Sequence, residues 1–432
     1  MAPQPEVVAI VGGGASGVLS AMHLLRAGPA PIQIVIVEPR AELGRGPAYG
    51  TTDLEHLLNV RAENLSALPD VPDDFTQWAQ QRTTADAHSF LPRAWYGEYL
   101  RSQLPSVEHV RARAVDVAPW SGRVQVSLAD GTSRRVDRVI LSLGSSPPVW
   151  PKRLGGTGSR WVGDPWSPDL LTDLCPANPV LLVGTGLTAV DVALSLHAAG
   201  HRQIFATSRH GLLPGAHADG PLGPVRVIPP SQPTARSLLT WARATAAEVG
   251  DWRPVIDALR PHTNELWGAL AESERVRLLH HVHRRWEVLR HRMAPRVASR
   301  IETMREAGHL TVLPGGIRSA RTTPHFIEVS LADCCLRVGT VINCAGSPAD
   351  VRRSVDPLVR RLLDHRVAYS SPLHLGISTD ARGCLHNTGD ALWLVGPLRR
   401  GRTWETTAIP EIREQAASLP EALWRVNAMA GS

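Results

Sequence analysis

Residues 7–17 read Val7-Val8-Ala9-Ile10-Val11-Gly12-Gly13-Gly14-Ala15-Ser16-Gly17, and an Ala/Leu-rich helical pattern follows. An apolar run, a glycine turn and a helix form the start of a dinucleotide-binding unit. Gly12 makes the tight turn, Gly14 lets the backbone approach a pyrophosphate, and Gly17 lets helix and strand pack closely. The pyrophosphate then rests on unpaired N–H groups at the positive end of the helix. About 170 residues on, the pattern returns as Val180-Leu181-Leu182-Val183 and Gly184-Thr185-Gly186-Leu187-Thr188-Ala189. One such motif is a weak signal. Two, each with a partner residue downstream, predict a chain that holds two dinucleotides and moves electrons between them.

The length of 432 residues leaves room for two to three domains, and 43% hydrophobic with 20% charged residues fits a globular protein. The net charge of +6 is nearly all arginine, Lys152 being the only lysine, and it comes without the clustered basic patches of a nucleic-acid binder. The cysteines (175, 334, 335, 344, 384) include no C-x-x-C pair, which removes a dithiol redox motif and suits a reducing cytoplasm. Residues 7–25 carry no charge, but Glu6 precedes them and the glycine turn breaks the run, so neither a signal peptide nor a membrane span is expected.

The first helix is expected to stop at Gly28-Pro29, and the β-branched run Ile32–Val37 ends on Glu38, an acid placed to accept ribose hydroxyls. Residues 39–70 have no clean period, and helices are predicted at 72–82 and 92–104. Strands are expected at 109–117, 124–128 and 136–143, the last running into Gly144. The second unit repeats strand, helix and strand over 179–207, followed by a helical insertion at about 232–307 and strands at 309–313, 325–331 and 335–343. Residues 341–346 resemble the strand that ends at Gly144, so the chain is expected to return there to its first domain. The expected fold class is α/β with two Rossmann-like domains, the first (1–150 and 336–432) split by the second (151–335).

Several segments narrow the reading: 43–51, 57–60, Pro92-Arg93 with 96–100, 208–214, 290–295, 343–346, and 396–398 followed by 404–408. Together they resemble a bacterial family of FAD/NAD(P)-binding proteins, related to FAD-dependent urate hydroxylases and more distantly to flavin N-hydroxylating monooxygenases. The resemblance spans nearly the whole chain. It implies an FAD pyrophosphate on Gly12, Gly14, Ala15, Ser16 and Gly17, and a ribose on Glu38 beside Pro39 and Arg40. It places the adenine at the backbone of Val115, and the rest of the flavin among Gly46, Tyr49, Asn59, Val60, Leu143, Gly144, Thr406 and Thr407. A helix starting near Thr407 would favour the anion that builds on reduced flavin. Many relatives place an Asp after the glycine of the late strand, where it bonds the ribityl chain. Here Pro397 follows Gly396, and Gly389-Asp390 comes too early to replace it.

For the second dinucleotide, Gly184, Gly186, Leu187 and Thr188 form the turn, and the strand that follows ends on Ser208-Arg209-His210. An NAD site offers an acid at that point and an NADP site an arginine, so NADPH is expected. The implied activity is an NADPH-dependent FAD monooxygenase that hydroxylates a small molecule, at nitrogen in the distant relatives, through a flavin C4a-hydroperoxide formed with molecular oxygen. An NADPH dehydrogenase or oxidase without oxygen insertion shares every one of these motifs. A flavin-binding partner protein without turnover would be marked by the lack of NADPH-dependent flavin reduction.

Few side chains need act as acid or base in such chemistry. Arg290, His291 and Glu405 are the candidates, with Trp286 and Trp404 beside them. His283, Glu287 and His291 stand at helical spacing on one face, but the HExxH spacing is absent and no metal is expected.

Overall fold

The computed structural model describes residues 5–27, 31–151, 154, 156, 158–167, 169–172 and 174–424. The expected helix stop at Gly28-Pro29 lies outside them. The chain forms two units: Met1–Leu54, Val60–Ser146 and Ala349–Ser432 make the first, and Glu55–Asn59 with Pro147–Pro348 the second.

In the first unit a five-stranded parallel sheet runs in the order Leu392–Leu394, Arg138–Leu141, Glu6–Val11, Ile32–Val37, Glu108–Val110. The uninterrupted apolar runs reflect burial on both faces: Val8, Ile10, Ile36 and Ile140 are fully buried. An antiparallel meander, Ala114–Trp120, Arg123–Leu128 and Ser133–Val136, leads from the edge strand back to the centre. Alternation of buried Val124, Val126 and Leu128 seats it on the core that Val139, Leu141, Leu358 and Leu362 also line.

The second unit repeats this plan. Its parallel sheet runs Leu310–Leu313, Ile204–Thr207, Val180–Val183, Thr340–Asn343, Trp161–Val162, and its meander is Ile317–Thr322, Ile327–Leu331, Cys335–Val338. Each fingerprint strand thus has its second strand on one side and a return strand on the other. The likeness between the strands ending at Gly144 and Gly346 is therefore real, but it marks corresponding positions in two repeats. The return strand Thr340–Asn343 pairs with Val180–Val183, so the second unit extends to Pro348 and not to 335. Glu55–Asn59, expected within the first domain, also belongs to the second unit. Glu55 is ion-paired there with Arg296 at 2.9 Å and with Arg300, and His56 Nε2 lies 2.9 Å from Ser195 Oγ.

The insertion of 232–307 is helical as expected, from Ala235–Val249 to Pro295–Glu306. Its first helix is fixed by a capping box in which Thr234 and Ser237 bond each other's backbone N–H. The expected strand 325–331 is found as Ile327–Leu331, and it pairs in a hairpin with a strand that was not expected, Ile317–Thr322, with Pro324 and His325 in the turn between them. Among the described residues no helix is long and apolar enough to cross a membrane.

Burial holds His23 below the ordinary histidine value of 6.5, and His201 likewise. When such groups are neutral in the fold, the unfolded chain binds more protons as pH falls through 6.5. Their contribution is thus complete above that value and is lost below it. Melting temperatures measured from about pH 8 to about pH 5 should fall on the acid side, and His23→Leu should shallow the slope. An unchanged slope in that variant would remove His23 from this account.

Candidate functional site

The first glycine turn is shaped by close approaches on three sides. A Cβ on Gly12, whose φ is +104°, would lie 2.3 Å from the Ser142 carbonyl oxygen, and one on Gly17 only 1.9 Å from the Gly12 oxygen. Gly14 differs: a Cβ there would meet only Gly46 Cα, at 3.6 Å. The backbone at Gly14 therefore faces open space beside the first N–H groups of Ala15–Ala27, which have no intrahelical acceptor. That opening fits a pyrophosphate.

Glu38 is buried at the end of Ile32–Val37 and locks the turn. Its Oε2 accepts the Gly13 N–H at 2.9 Å, and Oε1 accepts the Arg40 N–H at 3.0 Å. The Arg40 guanidinium also donates to Oε1 at 3.3 Å, so of the about four hydrogen bonds a carboxylate can accept, one remains for a ribose hydroxyl. Gly13, absent from the expected site, is needed because a Cβ there would fall 2.8 Å from Glu38 Cβ. Val115 sits where the pairing of Ala114–Trp120 with its neighbour shifts register, between Ala114 and Asp116. Such a bulge takes one residue out of the ladder, and a backbone free of the ladder is what contact with an adenine edge requires.

Around the late strand, the residues form a hydrogen-bonded set that the sequence did not disclose. Gly396 donates its N–H to Gln415 Oε1 at 2.9 Å, and its carbonyl accepts from Thr406 Oγ1 at 2.9 Å. Gln415 Nε2 in turn donates to Thr406 Oγ1 at 2.8 Å. The Thr406 hydroxyl is thus engaged in holding the loop. Gly396 also packs on the first turn of Ala15–Ala27, where a Cβ would lie 2.7 Å from Ser16 Oγ. The helix expected to start near Thr407 begins at Ile409, with Pro410 in its first turn, and Thr407 is exposed before it. Tyr49, in the short helix that Gly46 opens, has its ring centre 4.9 Å from that of Tyr96 at a tilt of 57°, and burial pushes its hydroxyl pKa up. Leu143 and Gly144 follow Arg138–Leu141, Gly144 with φ +66°.

The second turn repeats the first. A Cβ on Gly184 would lie 2.3 Å from the Cys344 carbonyl oxygen, the counterpart of the Gly12–Ser142 approach. A Cβ on Gly186 would meet no described atom within 4 Å, and the helix that Leu187 and Thr188 open has no side-chain cap. Thr185 Oγ1 lies 2.8 Å from Ser208 Oγ and donates to the Leu212 carbonyl at 2.6 Å. Ser208 Oγ accepts the Gly211 N–H at 3.1 Å, and Arg209 is exposed beside it. No acid stands at this strand end, and an exposed guanidinium there fits a phosphate monoester.

Residues 9–146 match the family model described as FAD-NAD(P)-binding. The matched segment contains the first turn, Glu38 and the return strand to Leu141. No curated relative matches the chain. Among solved structures, the ornithine N-hydroxylase of Kutzneria sp. 744, with reduced FAD, NADP+ and L-ornithine, superposes with a TM-score of 0.65. It is 15% identical, over 98% of this chain and 100% of that one. L-lysine 6-monooxygenase from Pseudomonas syringae gives 0.68 at 14% identity, over 97% and 99% of the two chains. The bacillithiol disulfide reductase of Bacillus cereus gives 0.56 at 14% identity, over 97% and 99%. The fold is shared by all three.

The remaining expected residues separate. Asn59 belongs to the second unit, where its carbonyl lies 3.0 Å from His217 Nε2, while Val60 belongs to the first. Glu405 and Trp404 are buried, and the Arg400 guanidinium lies 4.6 Å from the Trp404 ring centre. Arg290 is buried at the end of His283–Arg290, and His291 follows that helix as its cap. Glu287 lies between two imidazoles, 3.1 Å from His283 Nε2 and 3.4 Å from His291 Nδ1. Among the described residues no group of three or more His, Cys, Asp or Glu side chains is placed to hold a metal. The expectation of a metal-free protein is tested with a chelator, which should leave activity unchanged; loss of activity restored by added metal would reassign the three residues.

Proposed function

We propose that this chain is an NADPH-dependent FAD monooxygenase that hydroxylates a small amine at nitrogen. One observation carries the reading: two complete glycine turns, each with a return strand on one side and a second strand on the other, the second strands being followed by buried Glu38 in one unit and exposed Arg209 in the other. The solved amine hydroxylases that share the fold over nearly the whole chain support it. Bound together, FAD and NADPH supply hydride transfer and oxygen activation.

The chain's own residues hold and orient. Gly14, Ala15 and Ser16 present backbone N–H groups to one pyrophosphate, Glu38 takes the ribose, and Arg40 steadies Glu38. Gly186, Leu187 and Thr188 present the corresponding groups to the other, and Arg209 meets the 2′-phosphate. The pairing of Thr406 and Gln415 with Gly396 fixes the late loop, in which Pro397 follows Gly396.

Anaerobic mixing with NADPH should bleach the oxidised flavin. Under air, with a panel of diamines and basic amino acids, at least one substrate should yield hydroxylamine in step with NADPH consumed. Peroxide formed in step with NADPH for every amine would support the second reading, a reductase or oxidase, which the shared fold of the bacillithiol disulfide reductase favours. Absence of bleaching would overturn the second cofactor site.

A further inference from the structure

We propose that Arg284, from the inserted helices, is the second guanidinium of a 2′-phosphate clamp whose first is Arg209. This rests on the reading of the second site as an NADPH site.

Three separate elements converge at this point of the second unit. Thr185 lies between the two turn glycines, Ser208 ends the following strand segment, and Arg284 lies in the first turn of His283–Arg290. Arg284 reaches Thr185 Oγ1 at 3.4 Å, and that oxygen is 2.8 Å from Ser208 Oγ, next in sequence to Arg209. Thr185 is fully buried, so the contact fixes Arg284 against the base of the turn. Burial lowers the Arg284 pKa, Glu287 opposes the shift, and the charge of Arg209 lowers it further. Two guanidiniums that oppose each other's charge are stabilised by a dianion between them. Glu287, one turn along, is shared with His283 and His291. A phosphate monoester offers oxygens to two planar forks at once, whereas the 2′-hydroxyl of NAD gains nothing from the second cation.

The test is calorimetric binding of 2′,5′-ADP and of 5′-ADP to the purified FAD-loaded protein. Arg284→Ala should weaken 2′,5′-ADP by about tenfold to a hundredfold, as for a lost charge-assisted bond, with 5′-ADP within about twofold. Arg284→Lys, which keeps the charge and the stem, should recover part of the loss. Unchanged flavin content and melting temperature establish that each variant folds. Undiminished 2′,5′-ADP binding in Arg284→Ala overturns the proposal, as does equal weakening of both ligands, which would place Arg284 on the adenosine 5′-phosphate that both carry. Parent protein that binds NAD+ as tightly as NADP+ would overturn the NADPH reading itself, a separate failure seen before any variant is made.

Discussion

The Gly14→Val variant is expected to purify folded and colourless. A Cβ at Gly14 meets only Gly46 Cα, at the ordinary contact distance of 3.6 Å, so the turn itself tolerates it. The branches of valine, however, fill the space where the backbone must approach a pyrophosphate. Loss of affinity by about a hundredfold or more is expected, equivalent to about 2.8 kcal/mol. The neighbouring glycines provide the contrast. At Gly17 a Cβ would stand 1.9 Å from a carbonyl oxygen, and at Gly12 2.3 Å from another with φ at +104°. Gly17→Ala and Gly12→Ala should therefore fail as folds, with low soluble yield and early melting. If Gly14→Val retained its full complement of flavin, the first turn would not be the FAD site.

Arg209→Ala separates the two nicotinamide cofactors. The side chain is exposed at the end of Ile204–Thr207, so its removal leaves no cavity and should barely change stability. Loss of a guanidinium–phosphate contact should raise the KM for NADPH by about tenfold to a hundredfold. The KM for NADH, which has no phosphate at that position, should stay within about twofold. An equal rise for both would mean that Arg209 touches something common to the two molecules. Arg209→Ala combined with Arg284→Ala should exceed either single change by less than their product if both hold one phosphate.

The two strand–turn–helix units were legible because their signals are local. Glu6–Val11 and Val180–Val183 are apolar runs that end on glycine, and Glu38 follows its strand directly. Boundaries and supports depended on distant partners. Thr340–Asn343 reads the same whether it returns to one sheet or the other, and only its register with Val180–Val183 decides. Gln415 reaches back across 19 residues to Gly396 from the middle of a helix, with no motif to announce it. Glu55 and His56 look like loop residues until Arg296, Arg300 and Ser195 stand beside them. Arg284 is one arginine among many in a basic insertion. Thr185, which stands between the turn glycines and was given no role from the sequence, is the contact that singles it out.

The split of the first unit sets an order of assembly on the ribosome. Leu392–Leu394 closes its sheet beside Arg138–Leu141, yet it emerges only after the whole second unit has been made. All strands of the second sheet are available once Asn343 has cleared the exit tunnel, so the unit encoded in the middle of the chain can finish folding first. Until the last segment arrives, Arg138–Leu141 is a bare hydrophobic edge, open to pairing with the wrong strand. Slow or interrupted translation beyond residue 349 therefore exposes this protein to aggregation at a site that is buried in the finished molecule.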